Sequence, residues 1–251
     1  MKKRPVMLII LDGLGIREAE EGNAVKLARM PHYNQWLKTL ERSVIDASEE
    51  FVGLVRGQMG NSEVGHMNLG AGRVVYQDIS RVDVAIQDGS LRADETLQAA
   101  LAHVKERGSK LHLIGLVSDG GVHSHQRHLY ALLRIAREQQ VDPVVHVITD
   151  GRDTPPESGA DFVRELEAVI TKEGVGRIAT VCGRYYAMDR DKRWERTLKA
   201  YNAIAFRQAE NRANSPVEAL EQSYAVNVTD EFVEPTLIGS DETLKIEPGD
   251  A

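Results

Sequence analysis

The chain has one cysteine, Cys182, in 251 residues. A single thiol excludes an internal disulfide and any zinc site built on cysteines, and it fits a reducing cytoplasm. Aromatic residues are scarce as well: 2 Trp, 7 Tyr and 4 Phe leave little for stacking on nucleic-acid bases. Positive charge is not in excess, with 31 Lys and Arg against 38 Asp and Glu and a formal net charge of −7. That balance argues against a dedicated nucleic-acid binder, whose affinity rests largely on neutralising phosphates. Long apolar runs are missing too. The longest near the start, Val6 to Leu11, falls well short of the ~18–20 residues that span a bilayer. The basic residues before it are followed by neither the h-region nor the small-residue cleavage site of a secretory signal. Repeats and low-complexity tracts are likewise not found. What is present is an ordinary globular composition, 42% hydrophobic with 21 glycines and 27% charged, enough for one large domain or two ordinary ones.

Val6-Met7-Leu8-Ile9-Ile10-Leu11 predicts a buried strand that ends at Asp12-Gly13. A helix is expected from about Pro31 to Leu40, with proline early in the first turn, and a short strand around Val44 to Ala47. A glycine-rich stretch, Gly53 to Gly72, comes next. Two strands and one or two helices cannot cover both faces of a sheet. The first ~75 residues either lean on later parts of the chain or belong to a domain completed elsewhere. Helices are expected at Ile79–Gln87 and Asp94–Glu106, and then three strand–loop–helix units. Their strands are Leu111–Val117, Val144–Thr149 and Ile178–Cys182, each succeeded by a helix. The alternation predicts an α/β fold with a mostly parallel sheet, in which ligands bind beyond the carboxyl ends of the strands. Ser215–Tyr224 reads as a helix with Ser215 as N-cap, 231–238 as holding a short strand, and 245–251 as an end with no stop architecture of its own.

The three loops after these strands are rich in polar side chains. Asp12, where the first apolar run stops, is either a turn aspartate or a carboxylate placed for a hard divalent cation. Ser62, in Met59-Gly60-Asn61-Ser62-Glu63-Val64-Gly65-His66, stands at a helix start. It belongs either to an ordinary cap or to a phosphorylation site, where free N–H groups stabilise the added anion. An unaided serine is a poor nucleophile and needs a base or a metal. His66 reads as a packing or supporting residue, and His125 and His128 as residues of the following helix rather than zinc ligands. His123 in the Gly-Gly-Val-His loop can donate to an anion or shuttle a proton. Arg152 and Asp153 form either a guanidinium clamp beside a general base or a surface pair of little worth. Arg184 and Arg190 bring two more cations to the same edge, whereas Arg193 and Arg196 read as possible helix-surface charges and Tyr185 and Tyr186 as packing residues. Several arginines gathered in an acidic protein suggest a small anionic substrate.

Leu11-Asp12-Gly13, Gly57 to His66, Ser118 to His125, Asp150-Gly151-Arg152-Asp153-Thr154-Pro155-Pro156 and Gly183 to Trp194 together resemble the 2,3-bisphosphoglycerate-independent (cofactor-independent) phosphoglycerate mutases. The resemblance runs from Met7 to about Ile238. It implies a discontinuous alkaline-phosphatase-like metal domain, begun here by residues 1–76, and an inserted substrate-binding transferase domain, 77–251. It further implies two manganese ions, with Asp12 and Ser62 as metal ligands, Ser62 as the phosphorylated nucleophile and no need of 2,3-bisphosphoglycerate. His123, Arg152, Asp153, Arg184 and Arg190 would hold the substrate, and Asp153 would transfer protons on the glycerate hydroxyls. The reaction implied is interconversion of 3-phosphoglycerate and 2-phosphoglycerate by a cytoplasmic enzyme of glycolysis. That enzyme would be monomeric when complete, with neither nucleic acid nor membrane as a partner.

Members of that family are about twice this length, and their second half supplies most manganese ligands, further substrate-binding arginines and a lysine. The expectation for these 251 residues alone is therefore an inactive chain whose first segment exposes apolar surface. The alternatives are a metal-dependent phosphatase, where water takes the phosphoryl group, and a non-catalytic module that binds phosphoglycerate.

Overall fold

A computed structural model describes residues 5–251. Cα packing divides the chain between Gln77 and Asp78 into two units.

In the first unit, helices α1 (Ala24–Leu27), α2 (Pro31–Thr39) and α3 (Ser62–Ala71) are joined by irregular segments and one 3₁₀ turn, Glu49–Val52. Proline takes an early position of α2, where its missing N–H costs nothing. The strands expected at Val6–Leu11 and Val44–Ala47 do not form; neither segment has a ladder partner among the described residues. Apolar runs alone do not make strands, because an extended backbone becomes a strand only when a neighbour satisfies its N–H and C=O groups. Val6 and Val44 are instead 96% and 82% exposed. Of the partial alkaline-phosphatase-like domain expected here, no sheet is present among the described residues. The buried core of this unit is small, centred on Val52, Leu54 and Val64.

The second unit opens with α4 (Asp78–Gln87) and α5 (Glu95–Arg107), the latter capped by Asp94, whose carboxylate accepts from the Leu97 N–H at 2.8 Å. Then alternate β1 (His112–Leu116), α6 (Gln126–Glu138), β2 (Val144–Thr149), α7 (Gly159–Glu173), β3 (Arg177–Gly183), a single turn α8 (Arg184–Ala187) and α9 (Trp194–Phe206). The chain closes with β4 (Asn211–Ala213), α10 (Pro216–Ala225) and β5 (Thr236–Ile238). The sheet runs β1-β2-β3-β5-β4. β1, β2 and β3 are parallel, β5 is antiparallel to β3, and β4 is parallel to β5. The unit is thus α/β with a mostly parallel sheet, as the alternation of elements predicts.

Every residue of β2 is buried, as befits a central parallel strand covered on both faces. Val145, Val147 and Val181 pack with Leu133 of α6, Val163 and Leu166 of α7 and Leu220 of α10. A second cluster joins Leu101 and Val104 of α5 to Leu111 and Ile135. The tail is more structured than expected. The Ala251 N–H donates to the Lys110 carbonyl at 2.9 Å and its carbonyl accepts from the His112 N–H at 2.7 Å, so it bridges the outer edge of β1. No helix among the described residues is long and apolar enough to cross a membrane.

Candidate functional site

In the first unit, Asn61 caps α3: its side-chain oxygen accepts from the Val64 N–H at 3.1 Å. That leaves Ser62 as the first helical residue, beside the free N–H groups and positive end of the helix dipole. Its hydroxyl donates to Asp12 Oδ2 at 2.6 Å, across 50 residues of sequence. His66, one turn along, lies 2.8 Å from the Ser62 carbonyl through Nδ1. A carbonyl only accepts, so Nδ1 carries the proton of that bond. Gly60 is required where the chain closes: a Cβ there would stand 1.7 Å from the Ala47 carbonyl oxygen. This close approach brings the 44–47 segment against the loop that presents Ser62. Together they border an open groove of about 1360 Å³ that also receives Asp12, Asp46 and His66.

Asp12 and Ser62 supply oxygen donors suited to a hard cation. Among the described residues, however, no three His, Cys, Asp or Glu side chains converge to hold a metal. The donor set present does not fit two manganese ions.

In the second unit the loops after β1, β2 and β3 meet at one end of the sheet. The pocket there has a volume of about 340 Å³, a size suited to a small ligand, and takes His123, Arg152, Arg184 and Arg190 from the residues singled out in the sequence. Asp153 stands behind them. Its Oδ2 is 3.7 Å from His123 Nε2 and accepts from Arg184 Nη1 at 2.7 Å. Arg152 does not pair with Asp153; its nearest carboxylate is Glu231, at 3.8 Å. Arg184 is nearly buried, and the same Nη1 also donates to Asp150 Oδ1 at 2.6 Å. Arg190 forms no ion pair among the described residues, so its guanidinium remains available to an anion. His125 is the N-cap of α6 and His128 lies within it, bonded to Asp83 at 2.8 Å.

Asp150 organises this end of the sheet. Its Oδ1 accepts from the N–H groups of Arg152 (3.2 Å) and Asp153 (3.0 Å), and its Oδ2 accepts from the Ser118 hydroxyl (2.9 Å). Burial acts to raise its pKa, but the N–H of Asp153, the guanidinium of Arg184 and the Ser118 hydroxyl hold it below the ordinary carboxylate range. Gly151 has φ +67, and a Cβ there would lie 2.6 Å from the Glu231 nitrogen, so the loop after β2 and the turn at Asp230–Phe232 touch backbone to backbone.

That contact carries Glu231 and Phe232 into the pocket, together with Tyr185, Asp189 and Arg196. None of these was picked out as a site residue in the sequence. Arg196 is not a free helix-surface charge: its guanidinium stacks 3.8 Å from the Tyr185 ring centre and bonds Asp189 at 3.2 Å. The order of charges in Tyr185 to Arg196 offered a signal for Arg196. Glu231, some 80 residues beyond the loop it faces, offered none.

Residues 82–251 match the family model described as the BPG-independent PGAM N-terminus. Over its full length the chain is 51% identical to a 2,3-bisphosphoglycerate-independent phosphoglycerate mutase of Clostridium beijerinckii, covering 49% of that protein. It is 50% identical to one of Staphylococcus aureus, again over 100% of this chain and 50% of the relative. A crystal structure of Leishmania mexicana phosphoglycerate mutase, determined at low cobalt concentration, superposes with a TM-score of 0.72 at 35% identity, covering 96% of this chain and 46% of that one. The chain thus spans about half the length of the curated relatives it matches. By these matches the chain belongs to the 2,3-bisphosphoglycerate-independent phosphoglycerate mutase family, corresponding to its N-terminal half.

Proposed function

We propose that this chain is the N-terminal part of an enzyme that interconverts 3-phosphoglycerate and 2-phosphoglycerate through a phosphoserine at Ser62. The observation that carries the reading is the Ser62 hydroxyl at the start of α3, bonded to the Asp12 carboxylate at 2.6 Å. Asp12 accepts the hydroxyl proton as Ser62 Oγ attacks phosphorus, and the bond from phosphorus to the C3 oxygen breaks. The free N–H groups of the helix take the charge of the serine-bound phosphoryl group. Asp153 delivers the proton to the departing C3 oxygen. Glycerate, held through its carboxylate and hydroxyls by His123, Arg152, Arg184 and Arg190, reorients. Its 2-hydroxyl then gives a proton back to Asp153 and takes the phosphoryl group, and Asp12 returns a proton to Ser62. Manganese enters the reading only through Asp12 and Ser62, two side chains that fall short of a ligand set, so the isolated chain is expected to be inactive. A glycolytic role implies a cytoplasmic enzyme, monomeric when complete.

A second reading, a phosphoglycerate-binding fragment without turnover, is favoured for the isolated chain because the arginine-lined pocket lies wholly in the second unit. Calorimetry with 3-phosphoglycerate, paired with assays of 2-phosphoglycerate formation and phosphate release in the presence of Mn²⁺, tests both. Saturable binding without turnover is expected. Isomerisation by these residues alone would overturn the inactivity, and phosphate release alone would turn the reading to a phosphatase. In a complete chain, Ser62→Ala is expected to abolish isomerisation, and unchanged activity in that variant would refute the phosphoserine route.

A further inference from the structure

We infer that Asp150, which need not touch any ligand, is the positioning residue of the anion pocket. One carboxylate serves all three loops at the carboxyl end of the parallel strands. Through Ser118 it ties down the loop after β1, through the N–H groups of Arg152 and Asp153 it shapes the loop after β2, and through Arg184 it fixes the turn after β3. The Asp150 and Arg184 side chains are 4% and 9% exposed, so water does not compete for these bonds. Arg184 shares one nitrogen, Nη1, between Asp150 and Asp153. Asp150 therefore sets the position of Asp153 twice, once through the backbone N–H of that residue and once through the guanidinium bonded to its carboxylate. Asp153 in turn is the carboxylate nearest His123, at 3.7 Å. Removal of Asp150 frees the 150–153 loop and leaves Arg184 with a single carboxylate partner, so Arg152, Asp153 and His123 lose their common register.

Ser118 corroborates this division of labour. It is 1% exposed, too buried to meet a ligand itself, and its hydroxyl is spent on Asp150. The ligand part of the test rests on the pocket holding phosphoglycerate; the loop part does not.

The test compares the unmodified chain with Asp150→Asn, which keeps size but not charge, Asp150→Ala, which removes every acceptor, and Leu166→Ala, a core change remote from the pocket. Amide hydrogen exchange at Arg152 and Asp153 is followed without ligand, and the Kd for 3-phosphoglycerate is followed by calorimetry. Both Asp150 variants are expected to speed exchange at these two amides at least ~tenfold relative to the rest of the unit, and to weaken binding about tenfold to a hundredfold, the scale of an ångström-sized misplacement. Leu166→Ala, although less stable, is expected to keep its Kd within about twofold and to speed exchange without preference for that loop. Unaltered exchange at Arg152 and Asp153 in both Asp150 variants would overturn the inference. So would equal weakening of binding by Leu166→Ala, which would reduce the effect to general stability. Should the unmodified chain not bind 3-phosphoglycerate, the ligand reading of the pocket fails, while the exchange measurement still decides the role of Asp150.

Discussion

Between the edge of the sheet and its middle, hydrogen bonds from Asp250 through two histidines can run in only one direction. Asp250, although burial acts to raise it, is held down to about 2 by the N–H groups of Lys110 and Glu247 and the Lys110 ammonium. Being ionised, it only accepts, so His112 Nε2 donates to it at 3.1 Å. His112 Nδ1 is then bare and accepts from His146 Nε2 at 3.0 Å, which obliges Thr180 to donate its hydroxyl to His146 Nδ1 at 2.9 Å. His146 is 1% exposed, and burial, with His112 and Arg207 nearby, pushes its pKa down to about 3. The unfolded chain takes up a proton near pH 6.5, whereas the folded chain resists until about 3. Stability from this residue is therefore full above 6.5 and is lost as pH falls, by up to about 1.4 kcal/mol per unit. Urea titrations at pH 7, 6 and 5 are expected to show that decline, and His146→Gln to flatten it; an unchanged slope in the variant would assign the decline to other groups.

At the scale of elements, local signals and outcomes agree closely in the second unit. Ser215 caps α10 by accepting from the Glu218 N–H at 3.1 Å, with Pro216 in the first turn. Ser215→Ala is expected to cost about 1 kcal/mol in a chemical melt. Leu166, fully buried among β2, β3 and α7 neighbours, belongs to a costlier class: Leu166→Ala is expected to lose about 2–5 kcal/mol through its cavity. Equal losses in the two variants would contradict the placement of the core. β1, β2, β3 and the long helices were legible because hydrophobic period and caps act within a turn or two of the chain. Val6–Leu11 misled for the same reason: its composition suits a strand, but pairing depends on a neighbour that composition does not show. β4 was missed, being only three residues of Asn211-Arg212-Ala213 whose order comes from β5.

For the whole molecule, the two units differ in what they bury. The second has its own core around Val145, Val147, Val163 and Leu220. The first buries little beyond Val52, Leu54 and Val64 and leaves Val6, Met7, Val44 and Ile45 more than three-quarters exposed. Surface of that kind recruits partners or aggregates. Limited proteolysis is expected to cut first within residues 5–47 and to leave a resistant core beginning near Asp78, which should unfold cooperatively when produced by itself. Protection confined to the first 75 residues or so would contradict this division.

The sequence by itself determined the α/β class, the order of the strand–loop–helix units and the loops that carry His123, Arg152, Asp153, Arg184 and Arg190, because each depends on neighbours along the chain. Only the tertiary structure decided that Arg152 faces Glu231, that Arg196 lies over Tyr185, and that Asp150 gathers three loops onto one carboxylate. Those contacts join residues from 11 to 79 positions apart. Their strength comes from burial and from the distance between charges, quantities that exist only once the chain has closed on itself.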